Sequence, residues 1–207
     1  IFLKKMGPIF KSVQNKIEIL NQDNCNGFIK VAAANFDVSI NNVNKNVEEI
    51  ILKTNEAYYN DAKVIVFPEL CLTGYTCGDM FYQESLLKNV EKGLLKVCNF
   101  TKDIDAFIVV GAPLRKDGKL FNCGVAFHKG EILGVVPKLF IPNYSEFYEQ
   151  RYFEQPIIGN SYIDINGKTY PFGTKLLFKN QYYSDEVIGI EICEDLWMSI
   201  APSVFHS

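Results

Sequence analysis

VIGIEICEDLW (187–197) runs an apolar hexapeptide, VIGIEI, straight into a cysteine and then into acidic residues. A short apolar run closed by polar residues reads as a buried strand. Cys193 at its mouth, flanked by charge instead of apolar neighbours, is placed for chemistry more than for packing. Two other segments end in the same way. The strand-like KVIVF (63–67) leads through Pro68 to Glu69, and EILGVVP (131–137) delivers Lys138. A thiol, a carboxylate and an ammonium thus stand at the carboxyl ends of three predicted strands, where ligands bind in layered α/β folds.

The remaining pattern agrees with an α/β class. IKVAAANF (29–36) reads as a buried strand. Val43, Val47, Ile50, Ile51 and Tyr58 then mark one face of a helix over 42–59,. After KVIVF, residues Leu86, Leu87, Val90, Leu94 and Val97 mark a second helix, followed by the strand AFIVVGAP (106–113). LFNCGVAFHKGEILGVVPK (120–138) reads as a hairpin turning at Lys129–Gly130, and SYIDINGKTYPF (161–172) as another turning at Asn166–Gly167,. Early alternation with later hairpins predicts a mixed sheet. Residues 1–27, rich in Lys, Asn and Gln, read as an extension of a different kind, with a weak amphipathic helix as the alternative to poor order,. Residues 28–207 read as one domain.

Composition narrows the function. The chain has 207 residues and a net charge of −3, and it shows no basic cluster. Nucleic acid and anionic membrane surfaces are therefore poor partners, and the apolar runs are too short to span a bilayer. Six cysteines without a CxxC pair suggest free thiols in a reducing, cytoplasmic setting,. The two histidines, His128 and His206, are a poor basis for a zinc site or a Cys–His dyad,.

Glu69, Lys138 and Cys193 can do nucleophilic chemistry without histidine. A thiol near pKa 8.5 needs a base or a cation to act at neutral pH. The reading expects Lys138 to lower that value and then to share a developing oxyanion with the backbone N–H after Cys193. Glu69 would be the base. Such a site suits attack on an amide or nitrile carbon through a thioester. Cys98 and Cys123 read as core thiols, and Cys71 and Cys77 flank a TGY turn.

VFPELCLTGY (66–75), VVPKLFIPNYSEFYEQRYF (135–153) and VIGIEICEDLW resemble the three catalytic segments of the nitrilase, or carbon–nitrogen hydrolase, superfamily. Within it, PNYSEFYEQRYF and ICEDLW look most like the glutaminase domains of glutamine-dependent NAD synthetases. The resemblance implies an αββα sandwich with mixed sheets, incomplete at its C-terminus. It implies Glu69 as general base, Lys138 as stabiliser of the tetrahedral intermediate, Cys193 as nucleophile and Glu149 as the glutamate that orients the lysine. Tyr75, Tyr144, Phe147 and Glu194 match positions lining a glutamine pocket. An anion such as Glu194 suits the substrate's α-ammonium, and aromatic rings suit both its stem and its cation.

The same resemblance implies ammonia supply for amidation of deamido-NAD. No cofactor serves the amidase step; ATP and deamido-NAD belong to a C-terminal synthetase domain, whose pyrophosphatase loop this sequence does not contain. A homo-oligomer is the expected state of the full-length protein, and the aromatic residues of 144–153 suit a subunit or domain interface. Two other readings stand beside this one: a free-standing amidase of the superfamily acting on another small amide, and a non-catalytic truncated module.

Overall fold

Short apolar runs alternating with amphipathic segments build a seven-stranded mixed sheet with helices on one face and a smaller sheet on the other. The computed structural model describes residues 28–180 and 186–206, together with the backbone of 2–5. In chain order the elements are β1 (Phe2–Lys5), β2 (Val31–Ala33), α1 (Val43–Tyr59), β3 (Val64–Val66) and α2 (Glu84–Phe100). There follow β4 (Phe107–Lys116), β5 (Lys119–His128), β6 (Glu131–Pro137), β7 (Asn160–Ile165) and β8 (Lys168–Gly173). The last are β9 (Phe178–Lys179), β10 (Glu186–Gly189) and α3 (Pro202–His206). The larger sheet has the order β2-β3-β4-β5-β6-β8-β7, and the smaller β1-β10-β9. Strands β2, β3 and β4 run parallel, β4-β5-β6 is an antiparallel meander, and β6 pairs parallel with β8.

Period-two alternation divides the core. Ile108, Val110 and Ala112 of β4, with Val125 and Phe127 of β5, face the layer that holds α1 and α2,. Val109, Ala126 and Val136 face the other way and pack on Ile190 and Ile192, which follow β10. The order of layers is helix, sheet, sheet, the first three of the four layers in the expected αββα sandwich. Asn42 caps α1 by accepting from Lys45 N, which sets its start one residue inside the expected span,. Buried Asn46 of α1 donates to Leu72 O and so ties the helix to the loop after β3.

Three expectations change. IKVAAANF is not a buried strand: only 31–33 are extended, at the sheet edge, with Val31 53% exposed. AFIVVGAP continues to Lys116 and turns back through Asp117–Gly118, both at positive φ, giving a hairpin that the Asp-Gly pair announces,. The strand in VIGIEI ends at Gly189. The expectation for 1–27 lies largely outside the described residues; within it, 2–5 pair antiparallel with 186–189.

Candidate active site

β3 and β6 are parallel but separated by two intervening strands, roughly 14 Å at the usual strand spacing,. The segment after β3 closes that gap by crossing over β4. At the crossing, a Cβ on Gly111 would lie 2.4 Å from both Pro68 O and Leu70 N, so only glycine permits the approach. Leu72 N donates to Gly111 O at 3.1 Å, and Leu70 takes a φ of +50° to make the turn. Gly111→Ala is expected to displace this segment and lower stability by about 1–3 kcal/mol. Urea unfolding measures the loss, and an unchanged midpoint would show that the crossing tolerates a methyl group.

Glu69 reaches Lys138 by this route. The Lys138 side chain is fully buried, and its Nζ donates to Glu69 Oε1 at 2.7 Å and to Glu149 at 2.7 and 2.9 Å. Burial pulls the lysine pKa down, but the two carboxylates outweigh it and hold it above its ordinary value,. Tyr75 donates its hydroxyl to Glu149 Oε1 at 2.7 Å. Burial first, then that contact, push its pKa up. Glu149 is therefore fixed from two sides, by an ammonium and a phenol.

Cys193 follows β10 at a φ of +47° and opens a 3₁₀ turn over Cys193–Trp197. A non-glycine residue in this left-handed region is a strained arrangement of the kind found at functional sites. Its thiol is exposed, whereas Cys71, Cys77, Cys98 and Cys123 are buried. The expected lowering of its pKa is overturned. Partial burial pushes the thiol up, and Glu69, adding its charge and a hydrogen bond, outweighs the opposing pull of Lys138. Burial is the larger cause, because a thiolate there would lose hydration, and the Glu69 carboxyl beside the sulfur adds to it,.

Two residues that the motif reading passed over join these parts. Asp195, 2% exposed, accepts from Leu139 N (3.1 Å) and Phe140 N (2.8 Å) through Oδ1 and from Ile192 N (3.1 Å) through Oδ2. It clips the segment after Lys138 to the segment before Cys193. Burial raises its pKa from 3.8 to about 6 against the pull of those amides and of Lys138. The folded state thus binds the extra proton between these values, so Asp195 makes stability fall as pH rises from about 4 to 6. Against Asp195→Asn, the parent should lose relative stability across that window and nowhere else, as read by urea unfolding at a series of pH values. A difference that is flat with pH would reject the assignment.

Asn122 of β5 is 1% exposed and donates through Nδ2 to Glu69 Oε1 at 2.6 Å, with Glu149 Oε2 at 3.5 Å. Its backbone carbonyl accepts from Lys138 N at 2.7 Å. Its Oδ1 is buried with no hydrogen-bond partner among the described residues, a loss worth about 1–3 kcal/mol in general,.

The expected pocket residues fall into two groups. Tyr144 donates to both oxygens of Glu194, at 2.9 and 3.1 Å, and its ring meets Phe147 edge-on with centroids 5.8 Å apart. Tyr75 stands apart from them, its hydroxyl engaged by Glu149. Among the described residues, no group of three or more His, Cys, Asp and Glu side chains is arranged to hold a metal ion.

The arrangement can hold a neutral thiol beside a carboxylate base and a buried ammonium. A family model described as carbon-nitrogen hydrolase matches residues 30–201, spanning all three functional segments. The chain belongs to the carbon-nitrogen hydrolase family. This carbon-nitrogen hydrolase is 38% identical over 177 residues to a glutamine-dependent NAD(+) synthetase of Mycobacterium tuberculosis (strain ATCC 25618 / H37Rv), covering 86% of this chain and 26% of that protein. It superposes on a glutamine-dependent NAD(+) synthetase from Cytophaga hutchinsonii with a TM-score of 0.73 and 28% identity, covering 80% of this chain and 28% of the other. An amidase from Nesterenkonia sp. shares the fold, with a TM-score of 0.56 and 15% identity over 72% of this chain and 57% of its own. The chain thus spans about a quarter of the length of its curated relatives. No helix among the described residues is long and apolar enough to cross a membrane.

Proposed function

We propose that the chain is a glutamine amidohydrolase domain. The observation that carries the reading is Lys138, fully buried and held by both Glu69 and Glu149 beside an exposed, strained Cys193. Because the thiol rests protonated, Glu69 takes its proton as sulfur attacks the side-chain amide carbon. Charge moves to the amide oxygen, where the Lys138 ammonium and the backbone N–H after Cys193 are the donors. Glu69 returns the proton to the departing nitrogen, which leaves as ammonia with a thioester behind it. Water then attacks the thioester, again with Glu69 as base, releasing glutamate and restoring the thiol.

Glutamine as substrate rests on Glu194, Tyr144 and Phe147, with support from the likeness to glutamine-dependent NAD(+) synthetases. An anion held by a phenol beside the nucleophile suits the α-ammonium of a free amino acid. The ammonia would serve amidation of deamido-NAD by an ATP-using synthetase domain in a longer protein. The test compares glutamine with a simple aliphatic amide. The parent should release ammonia from glutamine. Glu194→Ala should raise KM for glutamine about tenfold or more, on the scale of one charge-assisted contact, while barely altering the simple amide. Equal effects on both would remove Glu194 from the α-ammonium site.

A further inference from the structure

We infer that Asn122 is a positioning residue that holds Glu69 in register with the thiol. The inference deepens the carboxylate-assisted thiol chemistry proposed above and rests on it. Asn122 lies between the segments that carry Glu69 and Lys138: β5 stands beside β4, which the Glu69 segment crosses, and beside β6, which ends at Lys138. Residues 122, 124 and 126 alternate onto one face of β5, so the Asn122 side chain continues the inter-sheet layer of Ala126, Val109 and Val136,. An amide in an otherwise apolar layer needs a reason.

The orientation of that amide is set by its neighbours. Nδ2 points at Glu69 and Glu149; turning the group over would aim the Oδ1 lone pairs at two carboxylates,. The consequence is the buried, unpartnered Oδ1. The fold therefore tolerates an orphaned acceptor in order to keep a donor on Glu69. Glu69 Oε1 then receives two donors, Lys138 Nζ and Asn122 Nδ2, on one side. Its second oxygen keeps its lone pairs for the thiol proton. The same residue fixes the lysine backbone through its carbonyl, so one side chain and one peptide unit set the spacing of base and cation. Its amide donor is committed to Glu69 and Glu149, so Asn122 acts through Glu69 and not by touching substrate.

The experiment follows the rate of Cys193 carbamidomethylation by iodoacetamide against pH, read by mass spectrometry, in four proteins: parent, Asn122→Leu, Glu69→Gln and the double variant. Leucine keeps the volume and removes the orphaned acceptor, so the variant should fold; Asn122→Ala is the second probe, and thermal melting checks both. Loss of the donor leaves the Glu69 charge less neutralised, so the midpoint should rise by about half a pH unit or more. In the Glu69→Gln background, Asn122→Leu should shift it no further. An unmoved midpoint in folded Asn122→Leu, or an equal shift in both backgrounds, would overturn the inference. The readout does not use glutamine: failure of the parent to release ammonia would reject the glutaminase reading and leave the cycle interpretable.

Discussion

Cys193→Ala should lose ammonia release from glutamine by about 10³-fold or more, the scale seen when a covalent nucleophile is removed. The fold should survive. Cys193 is exposed, and alanine carries the same backbone strain at a φ of +47° that cysteine does, so the unfolding free energy should move by no more than about 0.5 kcal/mol,. The check is an ammonia assay beside urea unfolding of both proteins. Turnover retained by the variant would remove Cys193 as nucleophile. Faster alkylation of Cys193 than of Cys71, Cys77, Cys98 and Cys123 follows from access, since those four are buried, and not from an acidified thiol.

Lys138→Met should be the most destabilising single change, at about 3–5 kcal/mol, because it leaves buried carboxylates without their cation,. Its pH dependence has a definite sign. In the parent, the lysine pKa is raised by its partners, so its stabilising contribution is complete below the ordinary value of 10.5 and is lost as pH climbs through the higher folded value,. Urea unfolding of both proteins at several pH values measures the gap and that trend. A gap below about 1 kcal/mol would mean that the two carboxylates are solvated well enough to dispense with the ammonium.

The functional segments were legible because each is local. A strand that ends in a charged or nucleophilic residue shows itself as an apolar run with an abrupt polar stop, and Glu69, Lys138 and Cys193 all follow that form. Both predicted hairpins turn where Lys129–Gly130 and Asn166–Gly167 place them, since Gly130, Asn166 and Gly167 take positive φ readily and the glycine in each pair draws the turn to it,. IKVAAANF misled because burial of an apolar run depends on its place in the sheet, and β2 lies at the edge. Asn122 carried a signal that went unread: a polar residue inside the apolar run LFNCGVAF. Asp195 carried none beyond its nearness to Cys193, because its three partners are backbone amides that any sequence possesses.

The sequence by itself determined which residue types stand at the strand ends, the helix-and-hairpin order that makes a mixed sheet, and a net charge of −3 without a basic cluster. Each of these depends on composition or on neighbours a few positions away. Only the tertiary structure decided that the Glu69 segment crosses β4 over Gly111 to meet a lysine carried three strands along the sheet. It alone decided that Tyr75 braces Glu149 and that the thiol pKa moves up instead of down. Those outcomes depend on distances between groups far apart in the chain, and a pKa is set by the sum of every charge within a few ångströms, whichever segment brings it there.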